Sequence, residues 1–179
     1  MTEFCIVEGK AYHCGMMARR LREEQFDAMS RAGLDTHREM RTLFDNSSFR
    51  KAWLIDGQLA ALGGVTGSPI ETTGCVWVAI SKLAQRYPIA MIREARRQLE
   101  VATATRSMLV TTLLPDDDQS LRLAVFLGFH AGWDGRGAPA LSRFSRRDLI
   151  SYLREAPDVR IPLRDGYAMA VAYRPEMNL

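Results

Sequence analysis

The run TGCVWVAISKLAQRYPIAMIREARRQLEVAT, residues 73–103, decides how this chain folds. Its first part, Cys75 to Ile80, is apolar, holds Val76, Trp77 and Val78 in a row and is entered through Gly74, as a buried strand is. Pro88 suits the first position of a helix, where its missing N–H is not needed and its fixed φ is already helical. From there Ile92, Ala95, Leu99 and Ala102 recur at spacings of three and four. Arg93, Glu94, Arg96, Arg97, Gln98 and Glu100 fall on the other side. A strand that feeds a helix start presents N–H groups and the positive end of the helix dipole at the strand's C-terminal edge, a place where anionic phosphates bind.

Upstream lies a hairpin. Residues 50–55 and 59–65 are strand-like runs joined at Asp56-Gly57, a dipeptide suited to a type I′ turn. Gly63-Gly64 inside the second run predicts a bulge or a close approach of backbones. Residues 4–7 read as a short first strand. Residues 12–32 read as one helix, with Met17, Leu21 and Ala28 inward, a polar arc of Arg19, Arg20, Arg22, Glu23 and Glu24, and Gly33 as its stop. Thr36 and Glu39 fit a capping box for a helix that runs to Phe44.

Downstream, residues 107–114 (SMLVTTLL) form a strand stopped by Pro115. Asp116, Asp117 and Asp118 then cap a helix carrying Leu121, Leu123, Ala124, Val125 and Leu127; Gly128 ends it and Phe129 begins a further strand. Residues 133–139 read as a glycine-rich loop, 145–155 as an extra helix and 166–173 as a last strand. The order describes a mixed α/β sheet with an early hairpin and later βαβ crossovers, in one domain over residues 1–179 with its core in about 1–133. Ala95, Leu99, Ala102, Leu109, Leu113, Leu121 and Val125 are the expected core.

Composition narrows the function. The 179 residues are 47% hydrophobic and 25% charged, with a net charge of +3, and contain no apolar run near the length of a membrane span. The start lacks a signal-peptide pattern, so a cytoplasmic location is expected. Cys5, Cys14 and Cys75 match no metal spacing and are expected to be buried thiols. The basic residues are nearly all arginine, suited to phosphate or carboxylate, and no stacking-aromatic pattern supports nucleic-acid binding.

The ordered elements resemble the GNAT acetyltransferase fold. Residues 53–133 resemble more narrowly the divergent GNAT-like proteins of short-tailed bacteriophages: a hairpin ending in Gly-Gly (LAALGGV), a Trp-containing strand entering a Ser-bearing loop (CVWVAISKLAQ), a basic helix, and a short Gly-terminated helix (SLRLAVFLGFHAG). The resemblance implies an acyl-CoA N-acyltransferase sheet flanked by helices, in which the strand at 75–80 splays from that at 108–113. It implies acetyl-CoA as cofactor and an amine, or a phage or host protein, as partner. The family's pyrophosphate loop, Arg/Gln-x-x-Gly-x-Gly/Ala, falls on Gln85 to Ala90; Gln85 and Ala90 agree, and Pro88 replaces the middle glycine. Lys82 and Arg86 supply charge there, and the backbone of Val78, Ala79 and Ile80 orients the thioester. By position, Glu71 and His130 are candidate bases, each with a plain alternative as a solvated loop residue or a strand end. The general-acid tyrosine of many such enzymes is Ala124 here. Two readings follow, a phage or prophage N-acetyltransferase, or a GNAT-fold protein that has lost catalysis and serves the virion or its assembly.

Overall fold

In a computed structural model, which describes residues 2–114, 117–131, 160–163 and 166–173, the chain opens with β1 (Phe4–Glu8) and three helices, α1 (Ala11–Ala18), α2 (Glu23–Arg31) and α3 (Thr36–Asp45). The hairpin β2 (Ser47–Ile55) and β3 (Gln58–Thr66) follows, then β4 (Thr73–Ile80), a 3-10 turn (Ala84–Arg86) and α4 (Pro88–Thr103). After β5 (Met108–Leu113) and α5 (Asp118–Leu127) come β6 (His130–Ala131), β7 (Arg160–Leu163) and β8 (Gly166–Tyr173). Among the described residues these strands make one sheet in the order β1-β2-β3-β4-β5-β8-β6, with β7 on β8. The hairpin turns as its sequence requires, since Asp56 (φ 48°) and Gly57 (φ 72°) are both left-handed, as a type I′ turn needs.

The helices cover both faces. On one, Cys14 and Met17 of α1 and Met40 and Phe44 of α3 pack on Ala52, Leu62, Trp77 and Ala79 of the sheet. On the other, Leu99 and Ala102 of α4 meet Leu121 and Ala124 of α5 over Val65, Leu109 and Leu113. A second cluster under the start of α4 joins Met91 and Ala84 to Trp53, Ile55, Ala61 and Ile80. Of the expected core, Leu99, Ala102, Leu109, Leu113 and Leu121 are buried, while Ala95 and Val125 are half-buried. Gly63-Gly64 mark a close approach and not a bulge. A Cβ on Gly64 would stand 2.5 Å from the Phe49 carbonyl oxygen, and the register shifts fall instead between Ser47 and Phe49 and between Trp53 and Leu54.

Four sequence expectations change. The helix over 12–32 is two helices, because residues 19–22 leave it to bond the end of β4. Leu21 bridges Ser81, the Arg22 N–H donates to Ile80 O (2.9 Å), and the Lys82 N–H donates to Arg20 O (3.2 Å). Arg22 therefore leaves the polar arc and is 1% exposed. The cap of α3 is Asp35, whose carboxylate accepts from the Arg38 N–H at 2.7 Å, with Thr36 as the first helical residue. Cys5 is exposed; Cys14 is buried and Cys75 half-buried, and burial pushes both of the latter thiols up. β7 adds a strand the sequence reading leaves unassigned. The glycine-rich loop at 133–139 and the helix at 145–155 lie outside the described residues.

Truncating Leu99 to Ala should lower stability by about 2–5 kcal/mol, through lost burial and the cavity left behind. Val101, 51% exposed one turn-face away, should change by less than about 0.5 kcal/mol when cut to Ala in the same denaturant melt. His13 gives a pH signature. It is buried at the start of α1, and its Nδ1 accepts from the Lys10 N–H at 3.0 Å, which requires the neutral ring. Burial, then the Lys10 charge, lowers its pKa. The stability it contributes is present above the ordinary histidine pKa of about 6.5 and is lost as pH falls through the depressed folded value. Melts at pH 7.5 and 5 should differ by less in His13→Asn, which keeps an acceptor at the Nδ1 position.

Candidate active site

β4 and β5 pair in parallel from Thr73 opposite Met108 to Val76 opposite Thr111, and there the pairing stops. Beyond it β4 stays with β3 and β5 with β8, so the two strands part and a fork opens toward their C-terminal ends. The Ser81 N–H donates to Ala60 O at 2.9 Å, which fixes the phase of the β3–β4 ladder. Alternation then turns Ala79 to Leu62 on β3, and leaves the N–H and C=O of Val78 and Ile80 facing the fork. Of the three backbone positions expected to orient a thioester, two face the gap and Ala79 does not.

Two hollows meet here. An apolar cavity of about 160 Å³ lies between the sheet and the helices α4 and α5, walled by residues of β2, β3 and α4 and, beside the fork, by Val76, Val78, Thr111, Leu113, Ser120 and Ala124. An outer pocket of about 270 Å³ lies between α4 and α5, lined by Ile80, Gln85, Pro88, Ile92, Gln119 and Arg122. Met91 and Leu123 line both.

The rim of the outer pocket is the loop after β4. Its 3-10 turn uses the N–H groups of Ala84, Arg86 and Tyr87 internally, on the carbonyls of Ser81, Leu83 and Ala84. The first N–H bonded within α4 is that of Met91, to Tyr87 O at 3.0 Å. Pro88 has none, so Ile89 and Ala90 carry the helix's N–H groups without an intrahelical acceptor. Lys82, Gln85 and Arg86 are exposed beside them, and Arg122 of α5 is exposed across the pocket. The sequence reading did not single out Arg122; the phase of α5, whose apolar residues face α4, was the signal that could have found it.

Residues 22–25 reach over this site. The Arg22 guanidinium donates from Nη2 to both carboxylate oxygens of Asp117 (2.7 Å each) and to Ser120 Oγ (2.6 Å), and from Nη1 to Gln119 Oε1 (2.8 Å). Asp117 is 3% exposed and also caps α5, accepting from the Ser120 N–H at 3.0 Å. Gln25 Nε2 donates to Val78 O (3.0 Å), and its Oε1 accepts from the Ile80 N–H (3.1 Å). Glu23 meets Lys82 Nζ at 3.4 Å, and Glu24 accepts from Gln85 Nε2 (3.4 Å) and Gln119 Nε2 (3.0 Å). Arg22 Nε and Ser81 Oγ, both buried, have no partner among the described residues.

The structure does not bring the candidate bases Glu71 and His130 to the rim. Glu71 precedes β4, at the closed end, where its carboxylate accepts from the Ser68 N–H at 3.0 Å. His130 opens β6 opposite Ala172 of β8, which pairs in turn with Val110; it is two strand spacings beyond β5, about 10 Å. Tyr87 packs edge-on against Phe4, with ring centroids 5.4 Å apart. Trp77 is a core residue whose Nε1 donates to Ser47 Oγ at 2.8 Å. Among the described residues no His, Cys, Asp and Glu cluster is placed to hold a metal, and no helix is long and apolar enough to cross a membrane.

No protein-family model matches the sequence, and no curated protein resembles it significantly. Solved structures do share its shape. The aminoglycoside acetyltransferase AAC(6')-Ib, in complex with ribostamycin and coenzyme A, superposes with a TM-score of 0.62 at 8% identity, over 98% of this chain and 96% of that one. A GNAT-family acetyltransferase from Bacillus anthracis gives 0.61 at 12% identity, over 98% of both chains. The diaminobutyrate acetyltransferase EctA from Paenibacillus lautus, with its substrate and coenzyme A, gives 0.55 at 16% identity, over 98% of this chain and 96% of that one. The chain has the GNAT fold. The forked strands expected of the GNAT fold are those that part after Val76 and Thr111.

The Arg22–Asp117 pair holds α2 to α5. Breaking a buried pair by removing one partner leaves the other charge stranded, so Arg22→Met and Asp117→Ala should each lose about 3–5 kcal/mol in a denaturant melt. The double variant should lose clearly less than the sum, because the second change removes the charge that the first left unpaired.

Proposed function

We propose that this protein is an acetyl-CoA-dependent N-acetyltransferase acting on an amine. The observation that carries the reading is the fork, since it presents β4 edge groups beside a phosphate-sized rim of N–H donors and arginines. Acetyl-CoA, when bound, supplies the thioester that the amine attacks. The residues present fit such a group. Ile89 and Ala90 offer backbone N–H groups at the positive end of a 16-residue helix. Arg122 lines the pocket and Arg86 is exposed in the adjoining turn, and both suit charge-assisted bonds to phosphate. The two arginines offset the N–H that Pro88 removes. Val78 and Ile80 offer the fork a donor and an acceptor each, for an extended amide-bearing arm and for orienting and polarising a carbonyl.

Proton handling departs from the usual pattern. Ala124 is 5% exposed in the wall of the inner cavity and carries no hydroxyl. Ser120, four residues earlier on the same face of α5, does carry one in that wall. The ordered likeness of residues 53–133 to phage GNAT-like proteins supports a phage or prophage setting. A second reading, an inactive GNAT-fold protein of the virion or its assembly, is favoured by Ala124 together with Pro88.

Calorimetric titration of acetyl-CoA separates them. Loss of one charge-assisted bond costs roughly 1.5–3 kcal/mol, so Arg86→Ala and Arg122→Ala should each weaken binding about ten- to a hundredfold. Binding that both substitutions leave unchanged would place the cofactor elsewhere. Release of free thiol with a panel of primary amines then reads transfer itself.

A further inference from the structure

We propose that the first turn of α2, Arg22 to Gln25, is a displaceable internal occupant of the fork, so that the site is closed until this segment moves. The inference rests on the reading of the fork as an acetyl-CoA site. Its ground is the identity of the groups engaged. Val78 O and the Ile80 N–H and C=O are three of the four β4 edge groups left open where β5 departs. All three are bonded from α2: Val78 O and the Ile80 N–H by the Gln25 amide, and Ile80 O by the Arg22 N–H at 2.9 Å. A side-chain amide that donates and accepts on one strand edge does what a bound amide-bearing arm would do.

The remaining contacts extend the same likeness. Arg22 runs from the β4 edge to Asp117 and Ser120 on α5, across the mouth between the two strands. Glu23 and Glu24 set carboxylates against Lys82 and Gln85, beside the rim where a phosphate would need cations. A ligand carrying an amide arm and phosphates therefore competes with α2 for the same partners.

Apart from the buried Arg22–Asp117 pair, the segment is held weakly. α2 has nine residues, too few for a stable isolated helix, and Ala28 is its only buried residue. The Lys82–Glu23 pair is exposed on both sides (65% and 74%), where such pairs hold little. Arg22 Nε and Ser81 Oγ are buried without a partner among the described residues, so closure carries a penalty that opening relieves.

The test compares acetyl-CoA affinity in the wild type, in Gln25→Ala, and in Gln25→Ala combined with Glu23→Gln and Glu24→Gln. These positions are exposed or half-buried, and Arg22 and Asp117 are kept so that the fold survives. Affinity for a fork that is open only part of the time falls by the open fraction, so the triple variant should bind about tenfold or more tighter, and Gln25→Ala about threefold. Gln25→Ala changes no charge, which separates displacement from simple Coulomb attraction. Amide hydrogen exchange gives a second readout. On adding acetyl-CoA to the wild type, the amides of Arg22 and Lys82, bonded to Ile80 O and Arg20 O, should exchange faster while those of Ile89 and Ala90 become protected. Equal affinities in all three forms, or protection at Arg22 and Lys82, overturns the proposal. No binding to any form at millimolar ligand overturns the cofactor reading beneath it, and is distinguishable for that reason.

Discussion

A parallel pair of strands that stays bonded for four residues and then divides leaves backbone donors and acceptors with no strand to meet. Each strand keeps its other neighbour: β4 follows β3 to Ile80, and β5 follows β8 to Leu113, so the two halves of the sheet draw them apart. The groups freed by that division on Val78, which is 39% exposed, can turn to water, whereas those of Ile80, 7% exposed, must be paired, because an unpaired buried group costs about 1–3 kcal/mol. Much of the local architecture answers this demand. The chain leaves α1 early, at Arg19 to Arg22, to put an N–H and a glutamine amide on β4. Asp117 serves twice, capping α5 and neutralising the arginine that crossing the gap buries.

The order of elements was legible because local signals carry it. Asp56-Gly57 can turn a hairpin, Pro88 can begin a helix, and Asp117 can cap one, whatever surrounds them. The break between α1 and α2 was not legible. Arg19, Arg20, Leu21, Arg22, Glu23 and Glu24 are good helix formers in an unbroken amphipathic phase, and local propensity continues the helix through them. What stops it is bonding to Ile80 and Lys82, some 60 residues away in the chain. The burial of Arg22 is hidden for the same reason, since its carboxylate lies 95 residues off.

The candidate site was legible in half. The loop at Lys82 to Ala90 was found because a strand, a polar loop and a helix start are contiguous in sequence. Arg122 was missed because it faces that loop only through the packing of α5 on α4. Glu71 and His130 were chosen by their place before or after a strand, and their distance from the fork depends on pairings between strands far apart in the chain. The fork is where sequence-local chemistry and sheet-level geometry meet, and only the first can be read from a single stretch.

How the fork is filled bears on the choice between the two proposed readings, a working acetyl-CoA site and a fold without one. A permanent filler of a vacated channel is expected to be apolar, because replacing a buried ion pair with well-packed hydrophobic side chains is often neutral or stabilising. α2 does the opposite. It buries one alanine, binds through polar side chains, and leaves Arg22 Nε and Ser81 Oγ without a partner among the described residues. Its contacts set an amide on the strand edge and carboxylates beside Lys82 and Gln85. Exchange of like for like at the strand edge keeps the difference between closed and open small there, since the bonds that the Gln25 amide gives up are ones another amide can make. A small difference is what a two-state element needs if ligand binding is to shift it.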